Sequence, residues 1–303
     1  MNCILAQETR IGARKMNQDR VGHWRTGHSL LMVVAVGLGG HLHGEIAAQV
    51  AVQYFGGAFQ RDARPLLAAP ELFLARAMSG AHAEIFREAQ RLELSDTPRT
   101  VIVACVVQEG HAYWTHVGDC RLYLVRRGRI VQRTRDHTVV QQLLDAGRIR
   151  EEAITTHPDR NRLLQCLGSL QAPRLEAAEK ARLKKNDLIL LCSDGLWGPL
   201  TQRQLLHALM TRELKQAIPD LADLAEVRAG PQCDNVSLLA MAWGEDEVVL
   251  DNEPPTIPAQ ELPTDVQDFT ATDPDFLRMS DEDIEKAIAD IKAALRKTPP
   301  TQR

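Results

Sequence analysis

The chain has 303 residues, with 36 Lys and Arg against 40 Asp and Glu, a formal charge of −4. At 44% hydrophobic and 25% charged residues it has the composition of a folded globular protein, which excludes a mainly disordered chain. The near balance of charge argues against a general nucleic-acid binder, which needs a basic face.

The longest apolar run, Leu30 to Val36, is far shorter than the ~18–20 residues of a membrane span. The opening residues MNCILAQETR lack a basic start followed by a long apolar stretch, so no signal peptide is expected. Six scattered cysteines with no CxxC pair read as reduced thiols of a cytoplasmic protein.

In chain order, Leu30–Val36 reads as a strand running into the turn Gly37-Leu38-Gly39-Gly40. Helices are expected from about Gly44 to Phe55 and from about Glu71 to Arg91. Val101–Val107 and Ala112–Val117 flank Gln108-Glu109-Gly110-His111 as a hairpin, and Leu122–Arg126 with Ile130–Arg133 flank Arg127-Gly128-Arg129 as another. Thr138–Ala146 reads as a helix. Leu188–Cys192 is a buried strand ending in Ser193-Asp194-Gly195. Two helices follow, over Gln202–Thr211 and about Leu214–Ala229, and Val236–Ala242 is the last strand. Consecutive hairpins imply antiparallel sheets, and amphipathic helices imply layers covering them.

Composition changes near residue 245. From Asp251 to Arg303 there are 12 acidic and 6 basic residues and seven of the 15 prolines. The expected organisation is a body over 1–245, an acidic Pro-rich linker over 246–279 and an amphipathic helix over 280–298. In that helix Ser280 is the cap, and Ile284, Ile288, Ile291 and Leu295 share one face. The stripe serves either docking on the body or contact with a partner.

Chemistry concentrates at strand ends. Asp19, Asp119, Asp136, Asp194 and Asp234 each follow or precede an apolar strand, where an unpaired buried charge is costly. Taken singly, each is a common turn or cap residue. As a set of hard oxygen donors they suit Mg2+ or Mn2+ rather than zinc.

Six stretches carry a family likeness. They are Arg14-Lys15-Met16-Asn17-Gln18-Asp19, Val34-Ala35-Val36-Gly37-Leu38-Gly39-Gly40-His41, Val117-Gly118-Asp119-Cys120-Arg121-Leu122-Tyr123, Thr134-Arg135-Asp136-His137-Thr138, Cys192-Ser193-Asp194-Gly195 and Asp234-Asn235-Val236-Ser237. In this order, over about Glu8 to Trp243, they resemble the motifs of the metal-dependent serine/threonine protein phosphatases (the PPM family, type 2C), bacterial type. The resemblance implies an α+β fold, a four-layer α-β-β-α sandwich with two antiparallel sheets flanked by helices. It implies two Mn2+ or Mg2+ ions and a third, weaker site, with a water activated for in-line attack on phosphorus. By position, Asp194 and Asp234 ligate the first metal, the Gly37 carbonyl serves the second, Asp19 holds metal-associated water and Asp119 serves the third site. Arg14 grips the substrate phosphate, and Asn235 holds phosphate or water. The implied partners are phosphorylated proteins, with a cognate serine/threonine kinase or its substrates, and neither nucleic acid nor membrane.

The chain departs from the family pattern at one decisive place. The position of the metal-bridging aspartate is Val36, which has no donor atom. Gln18 stands at an acidic position, Thr100-Val101 replaces a Thr-Thr pair, and His41 is a weak candidate for a general acid. The resulting expectation is a protein phosphatase impaired by Val36. The alternative is a pseudophosphatase that binds phosphoproteins without turnover. Exposed-type arginines at 148, 150, 160 and 162 add positive charge to the segment after Asp136.

Overall fold

The computed structural model describes residues 1–38 and 43–244. Ten strands form two five-stranded, antiparallel sheets. The first has the order β1 (Cys3–Arg10), β10 (Val236–Trp243), β9 (Leu188–Cys192), β6 (Arg121–Arg126), β7 (Arg129–Arg133). The second has the order β2 (Asp19–Arg25), β3 (Ser29–Gly37), β4 (Thr100–Gln108), β5 (His111–Val117), β8 (Glu179–Arg182).

The apolar runs of the central strands follow from burial on both faces. In β3, Leu31, Val33 and Ala35 pack beneath α1 (Gly44–Asp62) and α2 (Pro70–Arg91), while Leu30, Met32, Val34 and Val36 face the opposite sheet. In β10, Leu238 and Ala240 pack beneath the helices of the other side, and Leu239 and Met241 face inward. Those outer helices are α5 (Gln202–Thr211) and α6 (Leu214–Ala229). A helix layer, two sheets and a second helix layer make the four-layer sandwich. Two-sided burial is why neither β3 nor β9 shows the polar alternation of a half-exposed antiparallel strand.

Both expected hairpins form. Their turns, Glu109-Gly110 and Arg127-Gly128, hold positive φ at both residues, the backbone twist that suits two-residue hairpin loops. The helix read as ending at Phe55 continues to Asp62 through Gly56 and Gly57. Gly56 is no stop signal: a Cβ there would lie 2.1 Å from the Trp24 ring, so its smallness admits close packing of α1 on β2. Strands β1, β2 and β8 and the one-turn helix α4 (Asp194–Trp197) were not read from the sequence. The short helix α3 (Val139–Asp145) forms where expected, capped by the Thr138 hydroxyl accepting from Gln141 N–H.

All six cysteines are buried. Among the described residues no helix is long and apolar enough to cross a membrane. The expected linker over 246–279, the helix over 280–298 and His41 lie outside the described residues.

Candidate active site

The motif residues gather where β2, β3, β6, β9 and β10 end. The loop between β1 and β2 is laid onto the start of β10 by backbone contact. Gly12 has φ +59, and a Cβ on it would meet the Asp234 carbonyl at 2.2 Å. Ala13 N–H donates to Cys233 O at 3.0 Å. Asn235 completes this bracket. Its Nδ2 donates to Ile11 O at 2.8 Å and Met16 O at 3.1 Å, and its Oδ1 accepts from Gln18 N–H at 2.8 Å. The side chain read as a holder of phosphate or water is therefore engaged with three backbone groups.

Arg14 extends from this loop, half-exposed, and donates from Nη2 to Asp234 Oδ2 at 2.6 Å. The adjacent carboxylate raises the arginine pKa further. Arg14 is thus at the rim and charge-paired with one of the expected metal ligands.

Asp19 lies at the first position of β2, buried, with both carboxylate oxygens lacking a hydrogen-bond partner. Burial, then the charge of Asp194, pushes its pKa up to about 7. The Ser193 and Ser237 hydroxyls act in the opposite sense, but neither lies in hydrogen-bond geometry to the carboxylate. Asp194 opens α4 just past β9. Burial and Asp234 push it up to about 6. Asp119 follows Gly118, and burial, then Asp194 and Asp136, raise its pKa well above the ordinary range. These acids destabilise one another's charged forms, as carboxylates do when their counter-charge is lacking.

The orphaned oxygens of Asp19 and this mutual repulsion fit a hard divalent cation held by oxygen ligands. Among the described residues, however, no three His, Cys, Asp or Glu side chains are drawn into a metal-ligating group. Val36, whose side chain has no donor atom, lies beside these acids. It is half-buried, directly opposite Asp19 on β2 and Val101 on β4, and turned into the space between the sheets. Position 36 supplies no carboxylate to these acids. Beside it, Gly37 N–H donates to Gln18 O at 3.0 Å. A Cβ at Gly37 would meet the Gly44 carbonyl carbon at 2.4 Å, so only glycine permits α1 to start here. Gln18 turns its amide to Glu45 at 3.1 Å, away from the acids.

Asp136, one of the five strand-end acids, is not free for ligation. It holds Arg121 through two hydrogen bonds of 2.9 and 2.7 Å, both groups buried. The Arg121 guanidinium lies 3.5 Å over the Trp197 ring, and Trp197 Nε1 donates to Asp119 O at 3.0 Å. This frame fixes the Asp119 loop against α4. Trp197, three residues after Asp194, gives no signal of it in the sequence.

A family model for protein phosphatase 2C matches residues 6–226. The serine/threonine protein phosphatase PstP of Mycobacterium tuberculosis is 34% identical over 212 residues, covering 69% of this chain and 39% of that protein. The chain thus spans about two fifths of the mycobacterial relative. A putative protein phosphatase 2C-type from Streptococcus pyogenes is 29% identical over 249 residues, covering 81% of this chain and 99% of that one. Among solved structures, the S. agalactiae serine/threonine phosphatase superposes with a TM-score of 0.71 at 26% identity, over 81% of this chain and all of that one. The PstP catalytic domain in complex with two manganese ions superposes with a TM-score of 0.69 at 26% identity, over 80% and 98%. Motif order, sandwich and sequence likeness meet in one conclusion: the chain belongs to the protein phosphatase 2C family.

Proposed function

We propose that this chain is a metal-dependent protein serine/threonine phosphatase whose turnover is impaired by Val36. The observation that carries the reading is Val36 itself, facing Asp19 across the β2–β3 pair at the one position where the family pattern calls for a bridging carboxylate. Asp194 and Asp234 would hold a first Mn2+ or Mg2+ ion, the Gly37 carbonyl a second, and Asp119 a third, with Asp19 holding associated water. When bound, such ions supply an activated water and charge neutralisation at phosphorus. The chain's own part is to orient the phosphate through Arg14, once its pairing with Asp234 is exchanged for the ligand, and to keep the loop in register through Asn235. The substrates are phosphoserine and phosphothreonine proteins, including a cognate kinase or its targets. The exposed Arg148, Arg150, Arg160 and Arg162 favour acidic ones.

Valine favours a second reading, a pseudophosphatase that binds phosphoproteins without turnover. Two ions held close together need a carboxylate between them to screen their repulsion and set their spacing. The test is the rate on a phosphothreonine peptide over a Mn2+ series, for the unmodified chain, Val36→Asp and an Asp194→Ala baseline. Impairment predicts a rise of at least about 100-fold on Val36→Asp, roughly 2.7 kcal/mol of barrier. An unchanged rate at the Asp194→Ala level favours the binding reading. A fast unmodified chain shows that another residue supplies the bridge.

A further inference from the structure

Arg99 has no place in the motif set and lies beside it. It precedes β4, and its carbonyl accepts from Leu38 N–H at 3.0 Å, extending the β3–β4 pairing one step past Gly37–Thr100. Along β4, Val101 and Val103 face the space between the sheets while Ile102 and Ala104 face the helices. By this alternation Arg99 shares the inward face with Val101, the direct partner of Val36. Its place is about 7 Å further toward the rim, at ~3.3 Å per residue.

A second contact supports this direction. Cys166 belongs to the buried cluster between the sheets, and its thiol is stabilised as thiolate by the Arg99 charge, although burial dominates and raises its pKa. The next residue, Leu167, pairs with Thr100 through two backbone hydrogen bonds. Arg99 is therefore wedged between the end of β4 and the returning segment after α3.

Arg99 is half-buried, and its Nε is shut off from water with no hydrogen-bond acceptor. Among the described residues it has no ion pair, and residues 39–42, which follow its neighbour Leu38, contain no carboxylate. An unmatched, partly desolvated cation is costly unless an anion completes it. Val36 on β3, two positions before Leu38, offers no carboxylate. Valine leaves the charge available.

We infer that Arg99 is a second phosphoryl-binding cation, holding the phosphate of a phosphothreonine or phosphoserine side chain at the β3–β4 rim without a metal ion. A guanidinium presents paired donors that match two phosphate oxygens. Arg99 stands just before β4, beside Leu38, on a different element from Arg14. This rests on the phosphoprotein-recognition reading above and adds how recognition proceeds where the bridging carboxylate is absent.

The test is isothermal titration of the full chain with an alanine-flanked phosphothreonine peptide in EDTA, and again with Mn2+. Binding in EDTA, absent for the unphosphorylated peptide, is expected. Arg99→Gln should weaken it at least tenfold and Arg99→Lys less, because lysine keeps the charge and loses the paired donors. Thermal unfolding of both variants checks the fold, and if Arg99→Gln does not fold, the same comparison is made with Arg99→Lys alone. Equal affinity for the variant and the unmodified chain overturns the inference. Binding seen only with Mn2+ also overturns it, while leaving phosphoprotein recognition intact. Absence of binding in both buffers defeats the recognition reading itself.

Discussion

The two sheets bring unlike chemistry to the same rim. The β9–β10 side carries Asp194 and Asp234, with Asp119 joined to it through Trp197, and burial, then neighbouring negative charge, raises the pKa of Asp119 and Asp194. The β3–β4 side carries Val36, Gly37 and Arg99, with Gln18 directed to Glu45. Asp19, entering from β2, is the one acid that faces both. Among the described residues, acids thus cluster on the β9–β10 half, and Arg99 stands on the other. The contrast teaches that each half is built on its own backbone contacts. Gly12, Asn235 and Gly195 serve one half, and the Gly37–α1 contact serves the other.

The acidic half is most open to damage through its frame. Asp136→Ala leaves Arg121 buried and unpaired beneath Trp197, and should cost about 3–5 kcal/mol in urea unfolding. A double replacement, Arg121→Met with Asp136→Leu, should recover most of that loss, since removing both partners leaves no bare charge. Equal losses for the single and double variants would show that Arg121 is held by Trp197 and Tyr123 rather than by its acid.

The next effect is on pH dependence. Asp19 has a folded pKa of about 7 against an ordinary 3.8, so the folded chain binds a proton that the unfolded chain has lost across that interval. In EDTA, stability should therefore fall as pH rises from about 4 to about 7. Asp19→Asn should flatten this slope by a few kcal/mol, at about 1.4 kcal/mol per pKa unit. Mn2+ should do the same for the unmodified chain. A slope indifferent to both would mean that Asp19 is ionised and satisfied in the folded protein.

Smaller still is the difference between a placed arginine and a diffuse one. Arg14→Ala should weaken phosphopeptide binding or turnover by about 1.5–3 kcal/mol, the worth of a charge-assisted hydrogen bond, and Arg148→Ala by much less. Equal effects in titration or kinetics would sink the assignment of Arg14. Smallest of all is removal of the tail. Truncation after Asp246 should leave cooperative thermal unfolding of the body within a few degrees, because the family match ends at residue 226 and the last strand at Trp243. Loss of cooperativity would place the Ile284, Ile288, Ile291 and Leu295 stripe in the core.

Much of this arrangement is legible in the sequence for a physical reason. Strands buried on both faces must be apolar throughout, so Leu30–Val36 and Leu188–Cys192 announce themselves and the acids beyond them mark their ends. Strand β1, CILAQETR, is an edge strand with half-exposed polar residues, and its identity comes from pairing with β10, 226 residues away at the Arg10–Val236 pair. Such pairing leaves no local trace. Gly56 and Gly57 resembled a helix end because packing against Trp24 cannot be told from a stop by composition. Asn235 was placed among the catalytic residues by position alone, whereas its three backbone contacts depend on a loop that arrives from residues 11–18. Arg99 was invisible for another reason: only the β3–β4 register distinguishes an inward arginine from an ordinary loop arginine.

The β1–β10 pairing also governs when the site can exist. The loop bearing Arg14 is seated by Asn235 just before β10, so residues 11–18 wait for a strand made more than two hundred residues later. A chain emerging from the ribosome at ≈5–20 residues per second spends over ten seconds between them. During that interval Asp19 has no buried cavity to occupy, and Arg14 has no Asp234 to meet. The same closure makes the body dominated by distant pairings, which fold slowly. Assembly of this rim therefore waits for β10 to be made, and a fragment ending before β10 is left with half a rim and an unpaired β9 edge open to association.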